Sequence, residues 1–398
     1  MKQILSQNYM ESIYEARKTH RIILFSGMHG CGKTSQLATA VKLLKEERPP
    51  VRILNLGPAD GITTDRELVR QAHSLGVGPS ALCLDGADGI PNLERALGEI
   101  LEGFSVTVFL TGKDTAFLEA TLSETFGDAL AVIRVHPLSY REFLEAHELG
   151  DSRHSLEFYA AAGGLPEGGS LSPDSPGFRS FHLMRADSFL LNQIIEPNAV
   201  RNASHVRRML SLVARHTGEA LSARQICAAF SGEGQQVSPQ AILDYLGFCR
   251  ASGLLIPAPI LDMQKDEELA SVHCWYFGDQ GLRNAFVPTE TPAGVDRAYS
   301  NLVFLRLISD GWRVRTGRSL SGRNLREDIG FVCDKEGKRV YLQMAGASMT
   351  TGERQRRRKA LLAVRDAWPK YAVGALSDEA DGVRAIFIRD LLLDGIPE

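Results

Sequence analysis

Cysteine is scarce in this 398-residue sequence: there are six, each at least 22 positions from the next, and no Cys-x-x-Cys pair. That spacing excludes a four-cysteine zinc site and a dense disulfide framework. It suits a reducing compartment, so a cytoplasmic location is expected. Long apolar runs are also missing. No window reaches the ~20 apolar residues of a bilayer span, and no membrane association is expected. Residues 1–10 hold no apolar stretch of the kind a secretory leader carries. Charge of one sign is not in excess, with 45 Lys+Arg against 48 Asp+Glu and a net −3. The total hides a division, because residues 1–200 sum to −7 and residues 293–398 to +5. A nucleic-acid partner must therefore be judged part by part. What is present is 44% hydrophobic content in a length that suits two or three domains.

Short apolar runs at 21–26, 51–56, 81–84, 106–110 and 130–135 alternate with helical patterns such as 92–101. Alternation of this kind predicts an α/β fold with a mainly parallel sheet covered on both faces. Between the first run and the helix after it stands Gly27-Met28-His29-Gly30-Cys31-Gly32-Lys33-Thr34, which satisfies GxxxxGK[ST]. The glycines let backbone N–H groups face phosphate oxygens, and the helix that follows adds its N-terminal dipole. Gly27, His29, Gly30, Cys31, Gly32, Lys33, Thr34 and Ser35 are thus the candidate residues for binding ATP. Lys33 is expected to reach the β and γ phosphates, and the Thr34 hydroxyl to ligate Mg²⁺. His29 and Cys31 contribute backbone only, although a thiol at a helix N-terminus can also become reactive. Asp85, ending the 81–84 run, is the second candidate Mg²⁺ ligand. The next residue is Gly86 rather than an acid that could position water, and Asp88 is the nearest substitute.

Residues 165–178 are rich in Gly, Pro and Ser and read as a loop or lid connection. Residues 181–220 look helical throughout. Ser222 with Gln225 forms a capping-box pattern, and Ser238-Pro239 opens a second helix. Runs at 254–261 and 270–277 predict a hairpin with its tip at 262–268. Helix, turn, helix, hairpin is the winged-helix order. The second helix offers Ile242, Leu243, Leu246 and Phe248 with Arg250 as its single basic residue, which suits base reading poorly. Asp262, Asp266, Glu267 and Glu268 at the hairpin tip would repel phosphate, so a protein partner is expected ahead of nucleic acid. Past Pro292 a helix at 299–308, strands at 312–316, 329–333 and 339–344, a helix at 351–367 and a strand at 383–388 form a further α/β unit. Arg354, Arg356, Arg357, Arg358 and Lys359 read either as a phosphate-contacting patch or as the solvated sides of a helix.

Six stretches in order carry a resemblance over nearly the whole chain. They are Gly27 to Thr34, Leu110-Thr111-Gly112, Pro137-Leu138-Ser139-Tyr140-Arg141-Glu142-Phe143, Gly163-Gly164-Leu165-Pro166-Glu167, Tyr276 to Asn284, and Asn301-Leu302-Val303-Phe304. The sequence resembles a poorly characterised family of bacterial and archaeal AAA-type P-loop ATPases with winged-helix and PD-(D/E)XK nuclease-like domains. The resemblance implies a nucleotide-binding domain over 1–200 with its lid at about 150–200. A winged-helix domain and connector over 201–292 and a degenerate nuclease-like domain over 293–398 follow. The departures fall on chemistry rather than on binding. Asp85-Gly86 stands where the family has Asp-Glu, Lys113 where it has Ser, and Gly127-Asp128 where it has Gly-Arg. In the last domain Ser300-Asn301 replaces Glu-Asn, Gly330 replaces the strand Asp with Asp328 two positions earlier, and Gln343-Met344-Ala345 holds neither Glu nor Lys. The expected function is an ATP-dependent switch or scaffold with hydrolysis weak or lost, and nuclease activity is not expected. A slow ATPase completed by a partner or neighbouring subunit and a winged-helix DNA-binding regulator are the alternatives.

Overall fold

A computed structural model describes residues 7–46, 51–76, 78–232, 236–287, 291–319, 327–374 and 382–397. They divide into two compact units: residues 1–137 with 145–147, and residues 138–144 with 148–398. In the first, α1 (Gln7–Thr19), β1 (Ile22–Ser26), α2 (Lys33–Glu46), β2 (Arg52–Leu56), α3 (Asp65–Ala72), β3 (Ser80–Leu84), α4 (Leu93–Gly103), β4 (Val106–Leu110), α5 (Thr115–Phe126) and β5 (Leu130–Arg134) alternate as expected. The strands form one parallel sheet in the order β2-β3-β4-β1-β5. Strands β1 and β3 are buried along their whole length. Their unbroken apolar runs follow from cover on both faces. Leu24, Leu82, Val108, Leu97 and Ile100 centre the core. The loop after β1 leaves the carboxyl end of a strand flanked by β4 and β5, where open α/β sheets bind ligands.

The second unit begins with the first residues of α6 (Tyr140–Ala146). Helices α7 (Arg153–Ala162), α8 (Phe178–Leu190) and α9 (Ala203–Arg215) follow. Then come β6 (Ala220–Leu221), α10 (Ala223–Ser231), α11 (Pro239–Ala251), β7 (Leu255–Asp262), β8 (Glu267–Phe277), α12 (Gln280–Phe286) and α13 (Pro292–Ser309). The chain ends with β9 (Arg313–Ser319), β10 (Glu327–Lys335), β11 (Lys338–Ala345), α14 (Thr351–Ala363), β12 (Lys370–Gly374), β13 (Arg384–Phe387) and α15 (Ile388–Asp394). Its eight strands share one sheet, β13-β12-β11-β10-β9-β7-β8-β6. Strand β7 pairs with β8 antiparallel and with β9 in parallel, so strands from either side of residue 292 are joined. Tyr276 of β8 stacks on Phe304 of α13 with ring centroids 4.0 Å apart, which ties the same two segments through the core.

Three expectations need correction. Residues 181–220 are not one helix. After α8 a short wide turn over Leu191–Ile195 leads to Pro197, which supplies no N–H to continue a helix. Helix α9 then starts afresh at Asn202, whose side chain accepts from the His205 N–H. Helix α14 stops at Ala363 rather than 367, because Val364 takes extended backbone (ψ 112°) with its N–H bonded to the Leu361 carbonyl. The acidic hairpin tip is not free charge. Arg313 donates to Glu268 and Arg339 to Asp266, with Arg315 3.7 Å from Glu268. Asp262 turns inward and accepts from the Gln264 N–H. Much of the negative charge at the tip is therefore matched by arginines of β9 and β11.

Three of the stretches that carry the family resemblance are structural. Ser139 and Glu142 bond reciprocally as a capping box at the start of α6. Tyr140 and Phe143 are buried with Tyr159, Leu302 and Leu392. The Gly163–Glu167 and Tyr276–Asn284 stretches lock together. Asp279 has no exposed surface and accepts from the Gly164, Leu165 and Leu282 N–H groups at 2.8, 3.0 and 2.9 Å. A side chain at Gly281 would overlap the Ala162 carbonyl, so only glycine allows this approach. Asn284 donates to the Ala160 and Ala161 carbonyls, and buried Arg283 to Ala214 and Thr217.

His182 on α8 is buried against the rings of Phe178 and Phe181. Burial, helped by Arg185, pushes its imidazole down to about 4. The unfolded chain takes up this proton near pH 6.5 and the folded chain only near 4, so stability falls as pH drops through that window. The loss should reach about 2 kcal/mol at about pH 4.5. Urea unfolding at about pH 7 and about pH 4.5 should show this part of the loss in the parent and not in His182→Leu.

Candidate nucleotide site

The loop between β1 and α2 is shaped by its glycines. A Cβ on Gly27 would overlap the Val135 carbonyl oxygen, so the loop could not pass the end of β5 with any other residue. Gly30 and Gly32 have φ of 81° and 106°, left-handed values that turn successive peptides as a phosphate nest requires. Helix α2 starts at Lys33, directly after the last of these glycines. His29 is exposed, Thr34 is exposed and Ser35 half-buried.

Lys33 is only 6% exposed. Its Nζ donates to the Gly27 and Met28 carbonyls at 2.9 and 3.0 Å, folding the side chain back over its own loop. Burial pushes the ammonium below the ordinary lysine range, while Cys31, Asp88 and Asp85 act in the opposite direction. Both acids thus lie within electrostatic reach of the loop. A desolvated ammonium held by neutral carbonyls gains most from an anion placed in the loop. The residues fit a nucleotide triphosphate on that ground.

The residues expected to ligate Mg²⁺, the exposed Thr34 hydroxyl and the half-buried Asp85 carboxylate, are both hard oxygen donors. Among the described residues neither side chain has a protein hydrogen-bond partner, and no group of three or more His, Cys, Asp or Glu is placed to hold a metal alone. Two protein oxygens fit an ion that takes its other ligands from phosphate and water.

Asp88 does not fit the part of a substitute acid. Its Oδ1 accepts from the Lys113 N–H and its Oδ2 from the Asp114 N–H, both at 3.0 Å, so it clamps the loop after β4. Gly86 sits at φ 76° where the resemblance implies a carboxylate. Cys31 is no reactive thiol. It is buried and donates to the Val135 carbonyl at 3.2 Å, and burial raises it to about 11.

Several supporting residues, all but Thr111 outside the motif stretches, hold the loop from a distance. Thr115, the first residue of α5, accepts from the Gly27 N–H at 3.1 Å and donates to its carbonyl at 3.2 Å. Thr111 donates to the Phe25 carbonyl at 3.0 Å. Arg134, ending β5, forms a two-pronged pair with Glu119 and also donates to Ser26, the residue before the loop. Each lies far from the loop in sequence, and only the sheet order brings them to it.

In the second unit the positions where the resemblance implies metal-binding carboxylates hold internal hydrogen bonds. Ser300, where the helical Glu is implied, is hydrogen-bonded with the Tyr276 hydroxyl, and beside it Asn301, which matches the family's Asn, bonds both the N–H and the carbonyl of Phe277, at 2.8 and 3.1 Å. Gln343 Oε1 accepts from the Gly330 N–H at 2.5 Å. The Asp328 side chain lies outside the described residues.

Residues 19–144 match the AAA_14 family model, described as an AAA domain. An uncharacterised protein of Haemophilus influenzae is 21% identical over 406 aligned residues, 98% of each chain. Among solved structures, a Walker-type ATPase of Pyrococcus abyssi aligns with 70% of this chain and 95% of its own, at 12% identity and a TM-score of 0.46. AMPPCP-bound DnaA of Aquifex aeolicus aligns with 61% of this chain and 87% of its own, at 14% identity and a TM-score of 0.33. Among the described residues no helix is long and apolar enough to cross a membrane.

Proposed function

With an AAA domain match over residues 19–144 as the premise, we propose that this chain binds ATP at Gly27–Ser35, with Mg²⁺ between Thr34 and Asp85. In this reading occupancy acts as a switch or scaffold signal, and hydrolysis is weak or lost. The observation that carries the reading is Lys33, buried and folded onto the Gly27 and Met28 carbonyls inside a glycine-shaped loop. Lys33 would hold phosphate oxygens, the loop N–H groups would orient them, and Mg²⁺ would supply charge neutralisation between phosphates. Weak hydrolysis is supported by Gly86, by the clamped Asp88 and by exposed Asp128 where the resemblance implies an arginine. Losing a water-positioning group or an arginine finger slows such reactions by orders of magnitude.

A switch requires ATP to bind one conformation better than another. The proposed receivers are the winged-helix part (201–292) and the degenerate nuclease-like part (293–398), beyond a nucleotide domain with its lid (1–200). The partner proposed is a protein, met through either part in the cytoplasm. Leu243 on α11, 53% exposed, supports docking over base reading. Nucleotide titration and phosphate release on one sample test the reading. Saturable ATP binding that weakens in Asp85→Asn, with phosphate release no faster than in Lys33→Ala, is expected. Turnover well above that control would overturn the switch, and absent ATP binding would overturn the site.

A further inference from the structure

We infer that the cleft between α14 and the carboxyl ends of β11 and β12 is an anion site that takes a phosphate monoester. Strands β11 and β12 are parallel and α14 is the crossover between them. The cleft, of about 190 Å³, is walled by Gln343 and Met344 of β11, Ala372 of β12, and Arg354, Arg357 and Arg358 of α14. Carboxyl ends of parallel strands beside the first turns of a crossover helix are where α/β units collect phosphate groups.

The charged side chains that line this cleft are all arginines, with Glu353, Asp296 and Glu219 acting on Arg357 from outside the lining. No Asp or Glu lines it. Positions 354, 357 and 358 share one helix face through their i, i+3 and i+4 spacing, so the basic run is not spread evenly around the helix as its sequence suggests. Arg356 and Lys359 stay outside the lining. Arg354 donates to the Met349 carbonyl through one nitrogen, and its Nε is buried with no hydrogen-bond partner among the described residues. Arg357 is half-buried and makes a long 3.3 Å bond to the Met344 carbonyl. Among the described residues no carboxylate forms an ion pair with any of the three. Three guanidinium groups lining one concave, partly desolvated site offer an anion several N–H donors at once. A phosphate monoester brings close to two negative charges and three acceptor oxygens, and guanidinium binds such groups through paired N–H donors. The small volume suits the phosphate and the group bearing it rather than a large ligand. With Gln343 and Gly330 bonded to each other in place of metal ligands, the site would bind such a group without cutting it.

The experiment uses the full chain carrying Lys33→Ala, which takes the P-loop out of the comparison. Calorimetric titrations with inorganic phosphate, AMP, a 5′-phosphorylated dinucleotide and adenosine identify the source. Binding by any phosphate-bearing probe and none by adenosine is expected. AMP strongest marks a free nucleotide, the dinucleotide a strand end, and equal binding of inorganic phosphate the bare anion. Adding Arg357→Gln should weaken binding about tenfold or more. Arg358→Gln, on an exposed side chain, should do the same with no risk to folding. Failure of all phosphate probes to bind, or binding unchanged in both arginine variants, overturns the inference.

Discussion

Replacing Asp279 by Ala is expected to lower the stability of the second unit by about 3–5 kcal/mol. The carboxylate is fully buried and serves three backbone N–H groups from two distant stretches. Alanine leaves Gly164, Leu165 and Leu282 with buried, unanswered donors, each costing about 1–3 kcal/mol and not simply additive. Asparagine rescues the site at most in part. One amide oxygen can replace one carboxylate oxygen, but the NH₂ group must then face another N–H. Burial already raises the Asp279 carboxyl above its ordinary range, against the pull of those same N–H groups and of Arg185. The amides are therefore what make a buried carboxylate tolerable here. Urea unfolding followed by a probe in the second unit checks the prediction, with Asp279→Asn intermediate or equal to Asp279→Ala. A variant as stable as the parent would mean that the lock is not needed.

The second large effect is expected at Lys33. Alanine should weaken ATP binding about 100-fold, the worth of two charge-assisted bonds to phosphate. The fold should survive, because the ammonium is a desolvated charge whose partners are loop carbonyls. Lys33→Met keeps the stem packed and should lose binding equally. Titration calorimetry gives the affinity, and circular dichroism confirms the fold. ATP bound as tightly by both variants would remove the phosphate loop from the argument.

Much of the first unit is legible in the sequence because its signals are local. Strands β1, β3, β4 and β5 are compact apolar runs, and Gly27, Gly32, Lys33 and Thr34 sit between a strand and a helix at fixed spacing. Asp88 is illegible for the opposite reason. Its role is set by the Lys113 and Asp114 amides, 25 and 26 residues away. The charge of Asp266 and Glu268 likewise looks free along the chain, and only strand pairing brings Arg339 and Arg313 beside it. Strand β12 is a five-residue segment starting at Lys370, whose buried Nζ is held by Asp366 and Trp368. A buried lysine at its start hides a strand from any reading of hydropathy. The basic run on α14 divides into inward and outward arginines only once the sheet beneath it is known.

The parallel register of Ile260, Leu261 and Asp262 with Thr316, Gly317 and Arg318 bears on how this chain can be cut or exchanged. A fragment ended at residue 292 would uncover the β7 flank, and the remainder would uncover that of β9. Bare strand flanks of this kind invite intermolecular pairing and precipitation. The segments before and after 292 should therefore be expressed, inherited and swapped between relatives as one piece.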